Sequence, residues 1–152
     1  EEAASALARS KKKTVAYTET EAASAAYWIG SSADRFVATP SATVGSIGVY
    51  MAIPDYSKAF ESAGVRMDVI KSGTLKGAGI PGTSLSDAQR ADLQAQVEAI
   101  HAEFKAAVRK KRRMAKDEDM EGQVFSGKEA ARKGLVTGLG TNLRSLIADL
   151  NR

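Results

Sequence analysis

The sequence has no cysteine and a single histidine, His101. The lack of thiols excludes disulfides, cysteine catalysis and thiolate metal sites. One histidine also excludes a metal site built on several histidines, and a Ser-His-Asp triad would have to use His101 itself. No run of 18 apolar residues occurs, so we expect no membrane-spanning segment within the 152 residues.

The net charge of +4 is concentrated in two basic clusters, residues 11–13 and 109–113. Such clusters bind nucleic-acid phosphates or anionic lipid, but cations are also favoured in the last turn of a helix. No aromatic residues alternate with the second cluster, as a surface for single-stranded nucleic acid would require. We therefore interpret residues 109–113 as a solvated helix end and expect no nucleic-acid partner.

Length and an apolar content of 43% fit one domain covering residues 1–152. Short apolar runs alternate with helical patterns, which predicts an α/β fold with parallel strand pairing. The longest predicted helix carries an apolar face, with His101 beside that face as a helix-surface or partner-contact residue. Strands are predicted at 13–18, 35–38, 45–53, 67–70, 122–125 and 135–136, and helices at 1–10, 22–31, 54–63, 87–115, 128–133 and 143–150.

Small residues surround Ser24, which follows an apolar strand-like run and lies near the start of the helix predicted at 22–31. A serine in the first turn of a helix can project into a cleft, where backbone N–H groups face developing negative charge. Two interpretations stand at this point. Ser24 is either a nucleophile, or a packing serine or N-cap in an alanine-rich turn.

A nucleophilic serine needs a base, and Lys76 is a better candidate than His101, which lies in the middle of a helix. Lys76 belongs to a predicted loop, residues 72–84, with four glycines that allow the backbone to fold inward. A lysine acts as a base only when burial lowers its pKa from about 10.4 towards neutrality. Lys71 is the rival, although a position at a strand end favours exposure. Ser46 is a candidate to orient the neutral amine, unless its flanking glycines serve only a tight strand entry.

Several separated motifs together resemble the serine peptidase family of signal peptide peptidase A, which includes protease IV and phage-type head-maturation proteases. The resemblance covers nearly the whole chain, and the motifs occur in the family's order. They are Val-Ala-Tyr at 15–17, Ala-Ala-Ser-Ala-Ala-Tyr-Trp-Ile at 22–29, Ser-Ala-Asp-Arg-Phe-Val-Ala at 32–38, Pro-Ser-Ala at 40–42, Val-Gly-Ser-Ile-Gly-Val at 44–49, Lys-Ser-Gly-Thr-Leu-Lys at 71–76, Gly-Lys-Glu-Ala-Ala at 127–131 and Gly-Leu-Val at 134–136.

The resemblance implies a Clp-protease/crotonase-like α/β fold, with a partly parallel sheet and flanking helices. It implies a Ser-Lys dyad that cleaves peptides through an acyl-enzyme, with Ser24 as nucleophile and Lys76 as general base. Ser46 matches the lysine-orienting serine, and the backbone N–H of Ala25 matches one oxyanion donor. The implied reaction needs no metal or other cofactor, and a homo-oligomeric ring is also implied. The chain departs from the family pattern at Ala25-Ala26, where glycines are frequent, and at Gly77.

The resemblance further implies that strands and an oxyanion loop precede residue 1, so the chain is expected to be the C-terminal two-thirds of a catalytic domain. In the signal-peptide branch a membrane anchor would also lie upstream. The substrate is then a remnant signal peptide at a bacterial membrane, or a capsid or scaffold protein in the cytoplasm for a phage-type enzyme. Two alternatives stay open: a crotonase-like binding or acyl-CoA module, and an inactive ring subunit whose basic helix end touches lipid or nucleic acid.

Overall fold

The computed structural model describes residues 2–150, which form two compact units. The first unit is drawn from residues up to Gly48 and from His101 onwards, and the second is Val49–Ile100. The elements in chain order are α1 (Glu2–Ala8), β1 (Val15–Thr18), β2 (Glu21–Ala23), α2 (Ala25–Ser31), β3 (Arg35–Ala38), β4 (Thr43–Gly45), α3 (Ser57–Ser62), α4 (Asp87–Lys111), β5 (Val124–Ser126), α5 (Gly127–Arg132), β6 (Gly138–Leu139) and α6 (Leu143–Leu150).

All six strands belong to the first unit and form two three-stranded sheets. In one sheet β3 lies between β1 and β6, and both pairings are parallel. In the other sheet β2 runs parallel to β4, while β5 is antiparallel to β4. The prediction of an α/β fold with a partly parallel sheet and helices beside it is confirmed. Within residues 2–150, no helix has both the length and the apolar character to cross a bilayer.

The core of the first unit is built around the fully buried ring of Tyr27 on α2. The ring lies 5.7 Å from that of Phe36 on β3 and 6.5 Å from that of Phe104 on α4, and Trp28 stacks on Phe104 at 4.5 Å. Tilted and offset arrangements of this kind are favourable for aromatic rings. The Tyr27 hydroxyl donates a hydrogen bond of 2.8 Å to the carbonyl of Leu135, so its polar end is satisfied.

Gly30 allows α2 to lie close to the sheet. A Cβ at this position would stand 2.8 Å from the ring of Phe36, closer than packed atoms approach. A larger residue would push the helix away from β3, and would move the N-terminal end of α2 with it. A small residue at Gly30 is therefore required for packing, independently of any chemical role of Ser24 at the start of the helix.

The second unit contains the largest differences from the predicted elements. The strand predicted at 45–53 is wrong, because β4 ends at Gly45, and residues 67–70 are not paired in a sheet. Among the apolar residues of that segment, Met67 and Val69 are exposed and Ile70 is fully exposed. A strand needs a neighbour for its backbone hydrogen bonds, and within residues 49–100 none is present.

Smaller differences occur at the ends of elements in the first unit. A strand forms at β6 rather than at 135–136, and α4 ends at Lys111 rather than near residue 115. The buried guanidinium of Arg112 donates to the carbonyl of Ala33 at 2.7 Å, just where the chain leaves the helix. The predicted apolar face of α4 is buried only at Phe104 and Val108, while Ile100 is exposed.

We predict that Tyr27→Phe lowers the free energy of unfolding of the first unit by about 1–2 kcal/mol, because the buried Leu135 carbonyl loses its donor. The change keeps the ring and its packing, so the loss reports the hydrogen bond. Urea unfolding followed by the fluorescence of Trp28, the one tryptophan, measures it. Tyr50→Phe is the matched control because Tyr50 is exposed. Equal stability of Tyr27→Phe and the parent protein would contradict this role of the hydroxyl.

A second prediction concerns Asp34, whose carboxylate accepts hydrogen bonds from Lys111 at 2.5 Å and from the backbone and hydroxyl of Thr14. These partners, Lys111 first, lower its pKa from 3.8 to about 2. The ionised Asp34 carboxylate therefore stabilises the folded protein fully at pH values above its pKa in the unfolded chain. This stabilisation is lost as pH falls through the lower pKa of the folded state. We expect the stability advantage over Asp34→Asn to be constant near neutral pH and to shrink between about pH 4 and pH 2. Urea titrations across this pH range measure the difference. In a Lys111→Met background the advantage of Asp34 over asparagine should be smaller. A difference that does not vary with pH would refute the pairing.

Candidate active site

Ser24 occupies the sharp turn between β2 and α2 and has a strained backbone. Its φ is +53° and its ψ is −123°, and only one other non-glycine residue in the described part of the chain has a positive φ. Its side chain makes no capping hydrogen bond to α2, and the residue is exposed. The N-cap interpretation is therefore not supported. A strained and exposed serine at a strand-to-helix turn is compatible with the nucleophile predicted from the sequence, and that role stays a prediction.

Ser46 is the other non-glycine residue with a positive φ, at +52°. It follows Gly45, whose φ of +118° is accessible mainly to glycine. The Ser46 N–H donates to the carbonyl of Gln123 at 2.6 Å, and the residue is half-buried. Gly45 and Ser46 thus both depart from strand geometry. Their turn ends β4 at Gly45, eight residues before the end of the strand predicted at 45–53.

The pairing of β2 with β4 places the two serines next to each other. Ala23 is the register partner of Gly45, so Ser24 and Ser46 are the next residues along two neighbouring parallel strands. The N–H of Ser24 donates to the carbonyl of Gly45 at 2.9 Å, which extends the pairing into the turn. Both serines lie at the carboxyl ends of their strands, where open α/β sheets bind ligands.

His101 holds the segment after Ser46 and is not positioned as a base. Its Nε2 lies 3.1 Å from the carbonyl of Ile47 and 2.7 Å from that of Met120. A ring nitrogen between two carbonyl oxygens must carry its proton, so this nitrogen cannot accept one from a serine. The Ile47 carbonyl also accepts from the N–H of Gly122 at 3.0 Å. His101 is half-buried and structural, rather than the helix-surface residue expected from the sequence.

Ala25 is the first residue of α2, directly after Ser24. The first hydrogen bond of the helix runs from the N–H of Trp28 to the carbonyl of Ser24, at 3.0 Å. The N–H of Ala25 therefore precedes the intrahelical bonding and belongs to the group of N–H donors that a helix leaves unsatisfied at its start. This position directly after Ser24 is compatible with the oxyanion donor predicted from the sequence, and that role stays a prediction.

Lys76 belongs to the second unit, in a loop of consecutive turns with an exposed side chain. Its N–H donates to the carbonyl of Gly73 at 3.3 Å. The residues of its own unit do not provide the water-poor surroundings that a lysine base requires. The amine of the rival Lys71 donates to the carbonyl of Thr74 at 3.1 Å, which favours Lys76 over Lys71. The pairing of Lys76 with Ser24 stays a prediction.

Gln89 was missed by reasoning from the sequence. Within residues 49–100 it is the one buried residue, with 5% of its surface exposed. Its side-chain amide donates to the carbonyls of Leu75 and Lys76, at 3.3 Å each. The available signal was the spacing of Ser86 and Gln89, which forms a capping box at the start of α4. This spacing predicts the start of a helix, but it does not predict the hydrogen bonds from Gln89 to the loop.

The basic cluster at 109–113 is largely used inside the first unit. Arg109 forms an ion pair with Asp117, Lys111 pairs with Asp34, and Arg112 is buried. The solvated helix end expected from the sequence is therefore only partly correct, because Arg112 is buried and two of its neighbours form ion pairs within the fold. No group of three or more histidine or carboxylate side chains in residues 2–150 is arranged to hold a metal ion.

Comparison with known proteins gives a family match and several relatives. The sequence model described as Peptidase family S49 matches residues 6–150. The protein named signal peptide peptidase SppA in Enterococcus faecium is 34% identical over 145 residues, 91% of this chain and 42% of that protein. Capsid assembly protease C of Escherichia phage lambda is 36% identical over 118 residues, 76% of this chain and 27% of that protein. Protease 4 of Haemophilus influenzae is 30% identical over 123 residues, 79% of this chain and 20% of that protein.

Among solved structures, an enoyl-CoA hydratase/isomerase from Marinobacter aquaeolei matches 97% of this chain and 39% of its own, with 17% identity and a TM-score of 0.47. Similarity at this level does not establish a family, and the assignment rests on the sequence. The chain spans less than half the length of these curated relatives. The family match over residues 6–150 and the separated motifs around Ser24, Ser46 and Lys76 lead to one conclusion: the chain belongs to peptidase family S49.

Proposed function

We propose that this chain carries the catalytic residues of a serine endopeptidase that uses a Ser-Lys dyad. The observation that supports the proposal best is the pair of strained serines, Ser24 and Ser46, at adjacent parallel strand ends in a member of a peptidase family. Backbone strain of this kind costs on the order of 1–3 kcal/mol per residue and persists mainly where function requires it.

In the proposed reaction the Oγ of Ser24 attacks the carbonyl carbon of a peptide bond, and the neutral amine of Lys76 takes the hydroxyl proton. The negative charge that develops on the carbonyl oxygen is stabilised by the N–H of Ala25. Lys76 then gives its proton to the leaving amine, which departs as the acyl-enzyme forms. A water molecule, deprotonated by Lys76, then attacks the ester carbonyl, and Lys76 returns that proton to the Oγ of Ser24 as the carboxylic acid product leaves.

Ser46 is assigned the role of orienting the Lys76 amine. A hydroxyl that hydrogen-bonds the neutral amine stabilises the form that acts as a base. Lys76 is exposed in this chain, so water surrounds its amine. Binding of the peptide substrate would displace this water. Loss of water strengthens the electrostatic interactions within the site and disfavours the charged amine.

We propose peptides as the substrate class, with remnant signal peptides as one member. The name of the Enterococcus faecium relative favours signal peptides, and the name of the phage lambda relative, which is 36% identical, favours a capsid or scaffold protein. Assembly into a homo-oligomeric ring is part of the proposal. Digestion of a synthetic signal peptide and of a phage scaffold protein by the full-length protein, analysed by mass spectrometry, separates the two substrate classes.

The first prediction from this proposal is that a fluorophosphonate probe labels Ser24 in the full-length protein. Peptide mass mapping should locate the label, and Ser24→Ala should remove both labelling and peptide cleavage. Lys76→Arg should abolish labelling, because arginine keeps its proton at all accessible pH values. Lys71→Ala is the matched control and should label normally. Normal turnover in Ser24→Ala or in Lys76→Arg would refute the dyad.

The second prediction concerns Ser46. Replacement by alanine should lower kcat about 10–100-fold, as expected for a weakened general base. The rising limb of the profile of kcat/KM against pH should move to higher pH, because the neutral amine loses a hydrogen bond. Ser46→Gly removes the same hydroxyl and relieves the positive φ, so both variants should show the same shift. An unchanged pH profile in both variants would remove Ser46 from the site.

A further inference from the structure

We propose that Gln89 is a positioning residue for catalysis, because it fixes the main chain of the loop that carries Lys76. The inference rests on the proposed role of Lys76 as the general base. Gln89 lies in the first turn of α4, within the second unit, and its amide nitrogen donates to the carbonyls of Leu75 and Lys76 at 3.3 Å each. It acts on the main chain at Lys76, and it has no direct part in the chemical step.

The orientation of the Gln89 amide is fixed from its other end. The backbone N–H of Ser86 donates to Oε1 of Gln89 at 3.0 Å, and the hydroxyl of Ser86 accepts from the N–H of Gln89 at 3.3 Å. A flipped amide would place its NH₂ group against the N–H of Ser86. The two hydrogens on Nε2 are therefore directed at the loop, one for each carbonyl.

Burial makes these two hydrogen bonds costly to lose. Gln89 is 5% exposed, while every other residue in 49–100 is half-buried or exposed. A buried amide without partners is penalised, because its transfer from water is not compensated. No apolar side chain in the second unit is buried, so apolar packing does not account for the burial of Gln89. Its hydrogen bonds to the loop do.

The loop itself has little else to hold this point in place. Gly73, Gly77 and Gly79 have positive φ values, and the turns close through short-range bonds such as the one from Ile80 N–H to the Gly77 carbonyl. In the described structure, the hydrogen bonds that join residues 75–79 to a position outside the loop come from Gln89. Removal of its donors should let the Lys76 main chain move, and displacements of about 1 Å at a catalytic group reduce rates up to about 100-fold.

Two substitutions separate the loop contact from the helix cap. Gln89→Glu keeps the acceptor for the Ser86 N–H, which is the usual partner in a capping box, but it loses both donors. Gln89→Met loses the donors and the acceptor and adds no charge. Gln96→Glu places the same new charge on the exposed part of α4, where it removes only an exposed hydrogen bond to Asp92, and is the control. All variants are made in the full-length protein.

We expect Gln89→Glu to fold with a lowered thermal midpoint, because the buried donors are lost, while kcat falls about tenfold or more with little change in KM. Gln89→Met should show a similar fall in kcat, so the loss follows the donors and not the charge. Trypsin should cleave after Lys76 faster in both variants, whereas Gln96→Glu should match the parent protein in every measurement. The parent rate of cleavage after Lys76 in Gln89→Glu, or the parent kcat in both Gln89 variants, would overturn the proposal.

Failure of the proposed function has a different signature. If Ser24→Ala retains full peptidase activity, the dyad is wrong, whatever the Gln89 variants show. If Ser24→Ala is inactive while both Gln89 variants keep the parent kcat, the dyad stands and the positioning role of Gln89 is refuted. The trypsin experiment needs no peptidase activity, so it reports on the loop contact in either case.

Discussion

The parallel pairing of β2 with β4, continued by the hydrogen bond from Ser24 N–H to the Gly45 carbonyl, is the interaction on which the candidate site depends. It brings two residues that are 22 positions apart in the sequence to adjacent strand ends. Both then turn into positive φ. Neither conformation is favourable for an isolated serine, so the surrounding structure must impose it. Packing of Tyr27 and Gly30 of α2 against Phe36 on one side, and the bond from Ser46 to Gln123 on the other, supply that constraint.

Helix α4 carries two polar side chains that act on backbone carbonyls in the two units. In the first unit, His101 bonds the carbonyl of Ile47, the residue directly after Ser46, and the carbonyl of Met120. In the second unit, Gln89 bonds those of Leu75 and Lys76. Each uses one nitrogen for two acceptors, so a single substitution removes two restraints. Polar residues on this helix thus have structural roles that its apolar periodicity does not reveal.

The sequence could predict features that depend on local chemistry. The helices predicted at 128–133 and 143–150 and the parallel α/β pattern follow from short-range preferences, and the structure has α5, α6 and parallel strand pairs there. Ser24 was expected inside a helix because Ala22 and Ala23 favour helix, yet both lie in β2, since pairing with β4 outweighs propensity. The failed strands at 45–53 and 67–70 show the converse, because their β-favouring residues lack a pairing partner. The burial of Gln89 depends on where a distant loop folds, which no local pattern encodes.

The left-handed backbone at Ser24 also has an evolutionary consequence. Glycine would adopt this conformation without steric cost, so any serine kept here is kept at the expense of stability. If Ser24 has the proposed catalytic role, selection for catalysis must therefore act continuously to maintain it. Where a gene duplicate is retained only for assembly, that selection ends and the strain favours replacement. Glycine at the equivalent position, in a relative whose remaining motifs are intact, would mark a subunit that has exchanged chemistry for stability.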